Sequence, residues 1–274
     1  MRDPDCVAFL QWALPRLRLR WPGFRKVRRQ VCKRLDRRLR ELGLPRLPEY
    51  RSYLEAHSSE WASLDRLCWI SISRFYRDRA DFQCLEREVL PQLAEITSAG
   101  GEDEVRSWSI GCAAGKEPYT LAILWKLAVS PRFPGLGLRI LATDVDPHAI
   151  VRAREGRYAG SSVKDLPEEW RLQALVPADG GLVLRPEYRG VVTFLQQDIR
   201  QAAPAEIFHC ILCRYLAFTY FEEGLQREIL ERIQARLAPG GALVLGRRES
   251  LPAAVSGFEP WSPTLGIYRK SAGG

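Results

Sequence analysis

Trp108-Ser-Ile-Gly-Cys-Ala-Ala-Gly-Lys-Glu-Pro-Tyr-Thr120 is the stretch on which the fold turns. The β-prone run Val105–Ile110 leads into it and an apolar helical pattern, Glu117–Val129, leads out. Between them lies a turn of small residues bracketed by Gly111 and Gly115, where a ligand can approach the backbone closely. Further downstream, Leu138–Thr143, Val191–Leu195, His209–Cys213 and Ala242–Leu245 read as short buried strands, with helical stretches at Pro147–Arg154 and Glu222–Leu237. Strand–helix alternation of this kind predicts a doubly wound, mostly parallel α/β sheet. Runs near Phe258–Trp261 and Leu265–Arg269 would close it as a hairpin, and Trp170–Gly190, broken by Pro177 and Gly180-Gly181, reads as a small antiparallel insertion.

Upstream the period is helical. Phe24, Val27, Val31, Leu35, Leu39 and Leu42 step by three or four through Arg and Lys, with Gly43 placed to end the helix. Shorter helices are expected at Glu49–Ala56, Trp61–Arg74 and Asp81–Thr97. The polar break Ser98–Glu104 predicts a helical domain with linker at 1–97 and an α/β domain at 98–274, its β-subdomain at about 170–190.

The chain has 274 residues and a formal charge of +8. Residues 1–60 hold 15 Lys/Arg against 7 Asp/Glu, so the whole excess sits there. That patch points to an acidic partner: nucleic acid, an anionic surface or an acidic protein helix. Disordered and fibrous classes are excluded by a 46% hydrophobic content. No run approaches a membrane span, and the N-terminal stretch does not read as a secretory signal. Seven Cys at irregular spacing read as reduced thiols in a cytoplasmic chain. Cys210-Ile-Leu-Cys213 reads as core rather than metal site, and no metal is expected.

Strand ends are where an open α/β sheet binds ligands. The turn after Ile110 is not G-x-G-x-x-G, and no P-loop is present. Asp144, ending the second strand, is positioned for a ribose diol, while Asp146 before Pro147 suits a helix cap. Asp198 follows the third strand and suits an adenine edge. A ribose carboxylate without a phosphate cradle favours S-adenosylmethionine over NAD or ATP.

With these residues in view, the sequence resembles the chemotaxis receptor glutamate methyltransferases, the CheR family, over roughly residues 30–270. The likeness is carried by Ile72-Ser-Arg-Phe-Tyr-Arg-Asp78, Trp108–Thr120, Ile140–Asp146, Ala153–Tyr158, Cys213–Phe221 and Leu237–Leu243, and by the basic stretch Arg34–Arg46. It implies a Rossmann-like class I methyltransferase sheet with a helical N-terminal domain and an inserted β-subdomain. By position it assigns Ser71, Ser73 and Arg77 to a segment over the cofactor, Gly111 and Gly115 to its turn, Glu117 to the methionine moiety and Asp144 to the ribose. Asp198 and Ile199 would frame the adenine, Tyr215 and Leu216 would lie near the methyl donor, and Arg77 and Tyr220 would flank the reaction centre. An acidic protein helix bearing glutamate is then the expected acceptor, docked by the basic helix. A small-molecule acid, or a non-catalytic cofactor-binding module, is the alternative. Nucleic acid is disfavoured because the fourth-strand loop lacks an Asn/Asp-Pro-Pro-aromatic arrangement. Three departures surround the acceptor side: Lys116 for the first acid of the usual Gly-Glu-Glu-Pro, Tyr215 for an Asn, and Asp198 for another Asn. The fourth-strand loop is also one residue longer than usual.

Overall fold

A computed structural model describes residues 2–253 and 255–271. The chain divides into two compact units, Met1–Ile70 with Thr219–Gln226, and Ser71–Phe218 with Arg227–Gly274. The division thus falls after Ile70 rather than at 97/98, and a short downstream segment returns to the first unit.

That first unit is helical: α1 (Asp3–Ala13), α2 (Trp21–Phe24), α3 (Arg28–Glu41), α4 (Leu47–Ala56) and α5 (Glu60–Leu67). The expected single helix over Phe24–Leu42 is broken after Phe24, and Gly43 takes φ +66° just beyond α3. Val31, Leu35 and Leu39 of α3 are buried, as are Phe9 and Leu10 of α1 and Tyr50 and Leu54 of α4. Cys6 and Cys32 form a disulfide joining α1 to α3. This corrects the reading of all seven cysteines as reduced: the two helices pack with Cα atoms 6.0 Å apart, within bridging range. The returning segment pairs with this unit, since Leu19 bridges Phe221 and the Glu222 N–H donates to the Arg18 carbonyl.

The second unit opens with a non-helical stretch, Ser71–Asp78, where a helix had been expected as far as Arg74, followed by α6 (Arg79–Cys84) and α7 (Leu90–Ala99), joined by a π-helical turn at Leu85–Val89. Then come β1 (Glu104–Ile110), α8 (Lys116–Leu124), β2 (Gly137–Asp144) and α9 (Pro147–Glu155). β3 (Arg157–Tyr158), α10 (Glu168–Ala174), β4 (Leu175–Ala178), β5 (Gly181–Leu184) and α11 (Pro186–Arg189) lead to β6 (Val192–Gln196) and β7 (Phe208–Cys213). After α12 (Ala217–Tyr220) and α13 (Glu223–Arg236) come β8 (Leu237–Leu245), β9 (Phe258–Pro260) and β10 (Ile267–Lys270). The main sheet runs β6-β2-β1-β7-β8-β10-β9, with the first five strands parallel and the β9/β10 hairpin antiparallel. All six residues of β7 are buried, which is why it is apolar apart from His209 near its start. The insertion is the sheet β3-β5-β4, beginning earlier than 170, at Arg157.

Candidate active site

The order of strands reverses between β1 and β7, so the crevice at their carboxyl ends is the ligand position of this sheet. Gly111 leaves β1 at φ +72°, and a Cβ there would stand 2.8 Å from Cδ2 of Leu216, which follows β7. Gly115, at φ +78°, is the N-cap of α8. Between them even Ala113 is left-handed, at φ +48°. Asp144 holds that turn: its Oδ2 accepts the Ala113 N–H at 2.7 Å and its Oδ1 the Asp146 N–H at 2.9 Å. Burial pushes the Asp144 carboxyl above its ordinary range. Asp146 caps α9 through the His148 N–H at 2.9 Å.

Arg214, directly after β7, is buried and gathers three acids: Asp78 at 2.8 Å, Asp81 at 3.1 Å and Glu117 at 3.2 Å. Glu117, in the first turn of α8, also accepts from the Ser109 hydroxyl at 2.8 Å. Three carboxylates on one guanidinium leave a formal surplus of negative charge. Burial raises the Asp81 carboxyl, and its Oδ1 has no hydrogen-bond partner among the described residues, nor has Arg214 Nε. Sequence reasoning passed over Arg214, Asp78 and Asp81, although a cation directly after a fully buried strand has to find buried partners.

The Ser71–Asp78 segment lies on α8. Tyr76 donates its N–H to the Thr120 hydroxyl at 3.1 Å, and Lys116 Nζ donates to the Ser73 carbonyl at 3.2 Å. The unusual lysine therefore tethers this segment, and burial lowers its ammonium pKa. Ser71 is exposed. The Arg77 guanidinium lies 3.7 Å from the centroid of the Tyr215 ring, and its Nη1 donates to the Ile72 carbonyl at 2.9 Å. Tyr215 sits at φ +55°, with its hydroxyl donating to Asp78 Oδ2 at 2.6 Å. Burial and that acid push the phenol up to about 12, so it remains a donor.

Three expected residues have other partners in the structure. Asp198, beyond β6, is ion-paired with Arg200 at 2.8 Å, and Ile199 is buried with its carbonyl accepting from Arg232 at 3.0 Å. Tyr220 belongs to the helical unit, its ring 5.0 Å from Phe24 and its carbonyl accepting the Arg20 N–H at 2.8 Å. The structure thus brings together Gly111, Gly115, Glu117, Asp144, Leu216, Arg77 and Tyr215 along one sheet edge and its covering loop. Cys210 and Cys213 are free and buried three residues apart in β7, on opposite faces of the strand, an arrangement that cannot chelate. Trp108 is core, its indole N–H donating to the Thr143 hydroxyl at 3.0 Å.

These residues fit S-adenosylmethionine. A left-handed Gly111–Gly115 turn at the end of β1, a carboxylate ending β2 and surplus carboxylates at Arg214 suit a ribose and a cationic sulfonium. Comparison with known proteins agrees. Residues 71–266 match the family model described as CheR methyltransferase, SAM binding domain. The chain is 31% identical over 185 residues to a chemotaxis protein methyltransferase of Listeria innocua, covering 68% of this chain and 67% of that one. It is 31% identical over 239 residues to a chemotaxis protein methyltransferase of Salmonella typhimurium, covering 84% and 79%. An uncharacterized 104.1 kDa protein in the hypE 3′ region of Rhodobacter capsulatus is 32% identical over 242 residues, 87% of this chain, which spans only 25% of that protein's length. No helix of the described residues is long and apolar enough to cross a membrane. The family model spans most of the sheet unit, from Ser71 to Gly266, and the chain belongs to the CheR methyltransferase family.

Proposed function

We propose that this chain transfers a methyl group from S-adenosylmethionine to a carboxylate, the glutamate side chain of an acidic, helical protein segment. When bound, the cofactor supplies a sulfonium-activated methyl. Asp144 would hold its ribose, Glu117 its methionine moiety, and the Gly111–Gly115 turn would admit it to the backbone. A carboxylate acceptor is ionised at neutral pH and requires no general base, so the chain's task is alignment. Arg77 can supply that through a two-pronged hydrogen bond.

The observation that carries the reading is the separation of charge. The carboxylates of Asp78, Asp81 and Glu117 are gathered on Arg214, while the neighbouring Arg77 guanidinium lies on the Tyr215 ring with no carboxylate partner among the described residues. One side favours a cationic donor and the other an anionic acceptor. Relatives named as chemotaxis protein methyltransferases support a protein acceptor. So does the outer face of α3, where Gln30, Lys33, Arg34, Arg37 and Arg40 line a groove of about 290 Å³.

Incubating lysate with the chain and methyl-labelled donor tests this. A base-labile label on a protein band is expected. Label confined to small molecules would transfer the assignment to a small acid, and alkali-stable label in nucleic acid would overturn it. In parallel, calorimetry with S-adenosylhomocysteine should show Asp144→Ala weakening binding by about tenfold or more, the scale of a hydrogen bond to a charged group.

A further inference from the structure

Tyr215 is held from several sides at once in this structure. Its left-handed backbone is sparsely populated for an aromatic residue and needs bracing. The brace is Glu249, a buried acid whose Oε2 accepts both the Tyr215 N–H at 2.7 Å and the Gly246 N–H at 2.8 Å. Gly246 gives the ring its seat, since a Cβ there would stand 2.8 Å from both Cε1 and Cζ of Tyr215. The phenol is then fixed by its bond to Asp78.

Two consequences reach Arg77. Its guanidinium lies against the ring, a cation–π contact that occupies the flat face and leaves the N–H edges to donate. Its sequence neighbour Asp78, the nearest acid in the chain, is drawn off by the Tyr215 hydroxyl and Arg214. Among the described residues Arg77 has no carboxylate partner, and its one hydrogen bond goes to the Ile72 carbonyl.

We propose that Tyr215 is a positioning residue, braced by Glu249, which holds Arg77 flat and unpaired so that its edge is presented to a planar two-oxygen acceptor. This rests on the carboxyl-methylation reading and deepens it. A carboxylate offers two oxygens to two parallel edge donors, whereas a hydroxyl or amine offers only a single atom to that fork. The preference for carboxylates is thereby built into the ring under the guanidinium.

The test uses the full chain with ¹⁵N-arginine, the Arg77 Nε–Hε resonance being assigned by its loss in Arg77→Lys. Tyr215→Leu, checked for a cooperative melt, should abolish or average that resonance. Tyr215→Phe, which restores the ring without the phenol, should recover it. Gly246→Ala, which presses a methyl into the ring, should shift it and serves if the leucine variant does not fold. An Arg77 resonance unmoved in the folded variants overturns the proposal, as does loss of the signal in Tyr215→Phe as complete as in Tyr215→Leu.

A kinetic arm uses labelled donor and a synthetic helical peptide carrying paired glutamates. Tyr215→Leu should lower kcat/KM for the peptide by about tenfold, the scale of a desolvated cation–π contact, and Tyr215→Phe should recover part of it. A loss carried by the donor KM instead would make Tyr215 a cofactor contact and overturn the positioning role. If the unaltered chain labels no glutamate peptide, the methyl-acceptor reading fails, while the arginine spectrum still decides the clamp.

Discussion

Single positions in the sheet unit carry sharply different loads. Gly115 combines φ +78° with neighbours that would meet a Cβ at 3.0 Å (Ala153), 3.1 Å (Phe194) and 3.2 Å (Tyr119). Gly115→Ala should therefore cost about 2 kcal/mol or more, read as a lowered urea midpoint, because strain and crowding add. His209, at the opposite end of β7, is buried with Nδ1 accepting the Arg106 N–H at 3.0 Å and Nε2 3.4 Å from Glu102. Burial first, and then the Arg106 charge, lower its pKa below the ordinary value of 6.5, against the opposing pull of Glu102 and Glu104. The unfolded chain therefore takes up this proton before the folded one does. Its contribution to stability is complete above about pH 6.5 and declines as pH falls toward the depressed folded value. Urea midpoints from pH 7.5 to 5.5 should drop, and His209→Gln should flatten that part of the curve. Neither burden shows in residue type: the glycine turn was legible from its position between periods, but the histidine's surroundings depend on Glu102 and Arg106 in space.

Helix α3 shows why charge read along a sequence is not charge available to a partner. Reversing Arg34, Arg37 and Arg38 is the obvious way to probe the basic stretch, yet two of the three are structural. Arg34 donates to the carbonyls of Leu67 and Trp69, and Arg38 pairs at 2.7 Å with Glu60, which also accepts the buried Tyr50 hydroxyl at 2.8 Å. Arg38→Glu should destabilise the helical unit by about 3–5 kcal/mol by stranding a buried acid. Lys33, Arg37 and Arg40 are exposed, and their joint reversal should leave the melting temperature nearly unchanged while weakening capture of an acidic macromolecule, measured by titration against a glutamate-rich helical peptide. The apolar period of α3 was readable because burial imposes it. Which guanidiniums are consumed by carbonyls and acids from α5 and beyond was not, since those partners come from other elements.

Across the whole molecule, the central parallel strands announced themselves as largely apolar runs, and the sheet was legible to within a residue or two at most ends. The disulfide was not, because seven irregularly spaced cysteines say nothing of which Cα atoms approach. Closing 26 residues, the Cys6–Cys32 link should contribute about 3–4 kcal/mol on a chain-entropy estimate. Dithiothreitol, or Cys32→Ser, should lower the melting temperature of the helical unit accordingly. The Arg77–Tyr215 stack was equally hidden, as it joins a loop before the sheet to the loop after β7. The chain's late return to its own beginning has a practical cost for dissection. A fragment begun at Ser71, where the family model starts, keeps Thr219–Gln226 but discards what that tab folds against: Leu19 opposite Phe221 and Phe24 under Tyr220. Such an excised piece should be sticky and poorly expressed, and co-expression of residues 1–70 as a separate polypeptide should rescue it, which would make this protein divisible by complementation but not by truncation.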